Sequence, residues 1–236
     1  MSRVDLRGSG VQVKERRMDL SGRSIVVTGA SGNLGRAVCT RLARDGARVV
    51  PFVHRKRSGE EREVELTDER SIDAAFAGIP AVWAAVNCAG GWRGGTPVRD
   101  TPVEVFEAMI AMNLRSAFLV SRAALRRFGP EGGRIVNVAA ANAATLVGVA
   151  GSGAYAAAKA GVIALTKALA EEGAALNVRA NCVAPGTLRT PENERAMPGV
   201  GSARWVEVDA VAEAIAFLCD PRSSAVNGAV LTLPSL

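Results

Sequence analysis

Residues 24–53 constrain this chain more than any other stretch, because four local signals follow one another there without a break. Ile25, Val26 and Val27 form a β-branched run between Gly22 and Gly29. Residues 28–35 read TGASGNLG, the next ten carry apolar side chains at helical spacing, and Gly46 to Val53 restarts an apolar run suited to a buried strand. Such a strand, glycine loop, helix and strand make a βαβ unit, whose parallel strands must be covered on both faces. The alternation continues along the chain. Strands are expected at 62–66, 82–87, 134–138, 177–183 and 229–233, and helices at 69–77, 102–128, 154–172 and 208–219. The expectation is an α/β chain with a doubly wound parallel sheet and helices on both faces, binding its ligands at the carboxyl ends of the strands. Pro191 to Ser202 reads as a mobile loop.

The 236 residues, 48% hydrophobic, suit one core and a single domain. Residues 1–20 contain no long apolar run and are expected to be a flexible tail on a cytoplasmic protein. The uncharged stretch from Ile135 to Ala158 is interrupted by Asn137, Asn142, Gly148, Gly151, Ser152 and Gly153, so it is not a membrane span. Four cysteines without a CxxC pair and a single histidine, His54, argue against a metal site. The net charge of +6 is no basis for expecting a nucleic-acid partner. Aromatics are only 4%, and no basic run extends beyond Arg55, Lys56 and Arg57.

Two local patterns carry chemistry. A glycine loop between a strand and a helix lets the backbone approach a pyrophosphate, which is attracted by the free N–H groups and positive dipole end of the helix. Tyr155 and Lys159 lie four apart on an Ala-rich helical segment, so they share a face. An ammonium beside a phenol stabilises the phenolate and lowers its pKa, making it a usable acid or base. A lone Tyr-x-x-x-Lys is more often an ordinary surface pair, and its meaning depends on context.

That context is TGASGNLG at 28–35, NCAG at 87–90, Asn113 in AMNLRSAF, RIVNV at 134–138, YAAAK at 155–159, NCVAPG at 181–186 and Thr190. In this order and spacing, over about residues 20–233, the chain resembles the short-chain dehydrogenase/reductase family, with its Rossmann-type sheet. The resemblance implies an NAD(P)-dependent oxidoreductase domain over 21–236. Tyr155, Lys159 and Asn113 would be catalytic, Asn113 at the proton-relay position. The cofactor would meet Gly29, Ser31, Gly32, Asn33, Leu34, Gly35, His54, Arg55, Glu65, Asn87, Ala89, Gly90, Lys159, Pro185, Gly186 and Thr190. A small-molecule substrate and a homodimer or homotetramer built through the helices that include 102–128 and 154–172 are also implied.

Departures from the family pattern sharpen the reading. The usual catalytic Ser position is occupied by Ala140, while counting back thirteen residues from Tyr155, the family's usual spacing, reaches Asn142. Asn142, Thr145 or Ser152 are candidate substitutes for the missing hydroxyl. The AGGWRGG run at 89–95, the missing Ser, the segment 190–198 with Trp205, and the short Val53 to Glu65 connection resemble the dihydropteridine reductase-like subgroup. Members of that subgroup reduce a ring imine rather than a ketone. Trp92, Arg93, Asn142, Ser152, Met197 and Trp205 are the candidate substrate pocket. At the end of the second strand His54 and Arg55 stand where an acid would favour NAD, so NADP(H) is favoured. The expected activity is NADPH-dependent reduction of a C=O or C=N with Tyr155 as proton donor. The alternatives are dihydropteridine reductase activity proper or a catalytically silent NADP(H)-binding protein.

Overall fold

The computed structural model describes residues 18–57, 59–199 and 205–233. Seven parallel strands form one sheet: β1 (Ser24–Thr28), β2 (Arg48–Val53), β3 (Arg62–Glu63), β4 (Ala84–Asn87), β5 (Gly133–Val138), β6 (Val178–Pro185) and β7 (Val230–Leu233). Their order is β3-β2-β1-β4-β5-β6-β7. The order reverses between β1 and β4, and the crevice there is where a doubly wound sheet receives its ligand. The central strands read as continuous hydrophobic runs because both of their faces are covered.

On one face, α1 (Asn33–Arg44) and α8 (Val208–Cys219) pack together through Leu34, Val38, Leu42, Val211, Ile215 and Leu218. On the other lie α2 (Glu69–Ala77), α4 (Ser116–Leu125) and α6 (Gly153–Gly173). Phe52 of β2 meets Phe76 of α2 edge to face at 5.4 Å, a favoured arrangement for two rings.

Four expectations change. The helix expected over 102–128 is divided into α3 (Val103–Met109), a π turn over Ile110–Arg115 and α4. The third strand shrinks to two residues, while the absence of a helix between β2 and β3 among the described residues agrees with the short connection read from the sequence. The start of the loop expected from Pro191 is instead a short helix, α7 (Pro191–Ala196). Thr190 caps it by accepting the Asn193 N–H at 3.2 Å, and Pro191 occupies its first turn. Part of the expected tail belongs to the fold. Leu20 is fully buried in the cluster that includes Ile25, Val38 and Leu42, and donates its N–H to the Asp45 carbonyl at 2.8 Å. Residues 1–17 lie outside the described residues.

Candidate active site

The glycine loop is fixed by contacts that leave no room for side chains. A Cβ on Gly35 would lie 2.1 Å from the Gly29 carbonyl oxygen, and one on Gly29 would lie 2.8 Å from Cα of Ala89. Gly29 also has φ +64°, a conformation that favours glycine. The loop is bonded to the neighbouring strand ends: Ala30 donates to the Phe52 carbonyl at 3.2 Å, and Thr28 Oγ1 accepts the Ala89 N–H at 3.1 Å. Gly32 caps α1 with extended backbone and no side-chain bond, and no acid lies in the first turn. The N-terminus of α1 is therefore suited to a phosphate. These residues fit a nicotinamide dinucleotide, whose pyrophosphate would be held by Gly29, Ser31, Gly32, Asn33, Leu34 and Gly35.

Next to this cradle, Lys159 and Asn113 converge on one glycine. A Cβ on Gly90 would stand 2.6 Å from Asn113 Oδ1 and 3.2 Å from Lys159 Nζ. Lys159 is buried and donates from Nζ to the Val138 carbonyl at 2.8 Å, which ties α6 to the end of β5. Burial lowers its pKa from 10.5 to about 8. Tyr155 lies one turn earlier, with Lys159 Nζ 5.9 Å from its ring centre. Burial pushes the phenol up to about 12. The lowering expected from the ammonium does not prevail, because desolvation disfavours the phenolate and Nζ is directed to Val138. At neutral pH the side chain is a protonated acid.

Asn113 is buried within the π turn. Its Oδ1 accepts the Gly91 N–H at 3.2 Å, and its Nδ2 donates to the Gly91 and Met109 carbonyls at 3.0 and 3.1 Å. The side chain thus pins the loop after β4. Asn87 departs from its expected place. Its amide points into the helix-covered interior, donating to Ser121 Oγ at 3.1 Å and Asn137 Oδ1 at 2.8 Å, and Asn137 donates on to Thr166 Oγ1 at 2.9 Å. This side chain braces β4 against β5, α4 and α6, leaving the backbone of Ala89 and Gly90 to face the cradle.

At the carboxyl end of β2, His54, Arg55, Lys56 and Arg57 are exposed. Glu65 accepts from both the hydroxyl and the N–H of Thr67, which hold its carboxyl below the usual carboxylate range, and it lies 3.8 Å from His54 Nδ1. Pro185 ends β6, Gly186 donates its N–H to Leu233, and Thr190 Oγ1 is engaged as the cap of α7.

The candidate pocket residues separate by exposure. Trp92 is 59% exposed, its indole Nε1 donates to Ser152 Oγ at 3.4 Å, and its ring lies against Gly94. Arg93 is exposed beside it, and Met197 is half-buried at the end of α7. Trp205 is buried next to the bridge between Leu188 and Val206, so it offers no open stacking face. Ala140 is buried where β5 leads into the short helix α5 (Ala141–Thr145), which the sequence reading missed. Thr145 Oγ1 is occupied, donating to the Ala141 carbonyl and accepting the Val147 N–H, whereas Asn142 is half-buried in the first turn of α5.

The family model for the short chain dehydrogenase matches residues 23–199. The chain belongs to the short-chain dehydrogenase/reductase family. It is 33% identical to an acetoacetyl-CoA reductase of Allochromatium vinosum, over 89% of this chain and 96% of the relative. It is also 33% identical to a 3-oxoacyl-acyl-carrier-protein reductase of Vibrio cholerae, over 91% of this chain and 96% of the relative. Among solved structures it resembles a blue fluorescent protein from a metagenomic library in complex with NADPH, with TM-score 0.84 and 27% identity, covering 92% of this chain and 98% of that one. The chain is therefore an oxidoreductase of the nicotinamide-dependent kind. Among the described residues, no cluster of His, Cys, Asp or Glu could hold a metal ion, and no helix is long and apolar enough to cross a membrane.

Proposed function

We propose that this short-chain dehydrogenase/reductase is an NADPH-dependent reductase of a small-molecule C=O or C=N, with Tyr155 as the proton donor. The observation that carries this reading is the meeting of Lys159 and Asn113 at Gly90, with the protonated Tyr155 one helical turn away. When bound, the cofactor supplies the hydride. Tyr155 is protonated at neutral pH, buried Lys159 keeps a positive charge that would favour proton release to the reacting oxygen, and Asn113 holds the Gly90–Gly91 loop in place. The exposed Arg55, Lys56 and Arg57 support NADPH over NADH, since an arginine can meet the 2′-phosphate bidentately.

The substrate side favours a flat, polarised acceptor. Ala140 supplies no hydroxyl for a ketone oxygen, and Trp92 presents a large ring at the mouth. These features support a ring imine, as in the dihydropteridine reductase-like subgroup, beside the carbonyl substrates named for the relatives. The same reading includes a cytoplasmic protein acting as a homodimer or homotetramer, with no nucleic-acid partner. Its test is NADPH oxidation by the purified protein against a panel of carbonyl and quinonoid-imine compounds. Turnover with a panel member supports the proposal, and cofactor binding without turnover on any of them overturns it.

A further inference from the structure

The glycine loop is reached by a carboxylate from a distant part of the chain. Asn33, the first residue of α1, donates from Nδ2 to Glu192 Oε2 of α7 at 2.6 Å. Asn33 is held for this contact by Arg36, whose guanidinium donates to Asn33 Oδ1 at 2.7 Å and to the Ser31 carbonyl. Glu192 is anchored in turn by the cap of α7, where Thr190 and Pro191 set the first turn, and Arg195 lies 3.8 Å from its other oxygen. The bond joins residues 159 apart in sequence and fastens α7 to the first residue of α1.

We propose that Glu192 is a charge latch that ties α7 to the first residue of α1 beside the glycine loop and weakens cofactor binding. The inference rests on reading the loop as a nicotinamide-dinucleotide site. A pyrophosphate against the backbone of Gly29–Gly35 brings negative charge to the region where the Glu192 carboxylate is bonded. Like charges this close repel, so the dinucleotide and the closed latch compete. The free protein then divides between a latched and an open form, and its apparent affinity is reduced by the fraction that is open. The Glu192 backbone N–H and the Asn33 amide hold the carboxyl below its ordinary range, so it stays ionised at neutral pH. Glu192 is a binding-determining residue in this account and touches no reacting atom.

The test is the dissociation constant for NADP⁺, measured by calorimetry on the full chain for wild type, Glu192→Gln and Glu192→Ala. Glu192 is largely exposed, so both variants are expected to fold. Glutamine preserves size and an acceptor oxygen but removes the charge. The expected result is a Kd about fivefold lower in Glu192→Gln at low salt, with a smaller gain at high salt where charge is screened. Glu192→Ala should bind at least as tightly as Glu192→Gln. Binding by wild type with an equal or higher Kd in Glu192→Gln overturns the latch and leaves the cofactor reading intact. Binding by none of the three proteins overturns the cofactor reading and the latch with it.

Discussion

At the scale of single residues, the site combines a phenol whose proton burial makes harder to release with an ammonium that burial makes easier to discharge. Tyr155→Phe removes the proton donor while leaving the ring in place, so turnover should fall by at least about 100-fold. Cofactor affinity should change little, and a stopped assay alongside a binding titration separates the two. Lys159 has a lower pKa in the folded chain, about 8, than its ordinary 10.5. Between these values the unfolded chain binds more protons, so this group makes stability rise with pH across that window. Below pH 8 the full cost of burying the charge is present. Lys159→Met should therefore melt several degrees higher than wild type near neutrality, and the gain should shrink as pH rises from 8 towards 10.5. Thermal denaturation across that range measures it. The same variant should be inactive. Ala140→Ser tests the missing hydroxyl: ketone reduction should rise relative to imine reduction, as the ratio of kcat/KM values would report.

At the scale of elements, the cradle depends on close approach of backbone to backbone. Gly35→Ala would place a methyl 2.1 Å from the Gly29 carbonyl oxygen, where backbone rather than a flexible side chain must yield. The expected cost is about 1–3 kcal/mol by urea denaturation, with loss of cofactor binding. The glycine pattern and the βαβ order were legible in the sequence because they are local: a strand, a turn and a helix N-terminus within twelve residues. The π turn at Ile110–Arg115 was not legible. Its apolar spacing continues that of its neighbours, and the distortion becomes visible only when Asn113 binds the Gly91 peptide. For α7 a local signal was available. Thr190 followed by Pro191 and acids at 192 and 194 has the composition of a capped helix start. Six residues without an apolar period are too few for that signal to outweigh the loop-like composition of 191–202.

At the scale of the whole molecule, the charged and apolar surface outside the sheet bears on cofactor choice and on assembly. A basic segment exposed beside the end of β2 should give a lower KM for NADPH than for NADH, and Arg55→Glu should reverse or abolish that preference. Phe106 and Phe118 lie on consecutive helices and are both 44% exposed, with Val103 exposed nearby. A second copy covering this face would explain the exposure. Phe118→Glu should then shift the protein to a smaller species in size-exclusion chromatography with light scattering. An unchanged mass would place the interface elsewhere.

The sequence by itself determined the alternation of strands and helices, the glycine loop, and the pairing of Tyr155 with Lys159, because each rests on a period or spacing that the backbone imposes within a few residues. Motif order along the chain also identified the family. Only the tertiary structure decided how polar side chains were used: Asn87 turned inward, Asn113 fastened to Gly91, Lys159 bonded to Val138, and Glu192 brought to Asn33. A polar group is directed by the partner it finds after folding, and that partner can be 159 residues away.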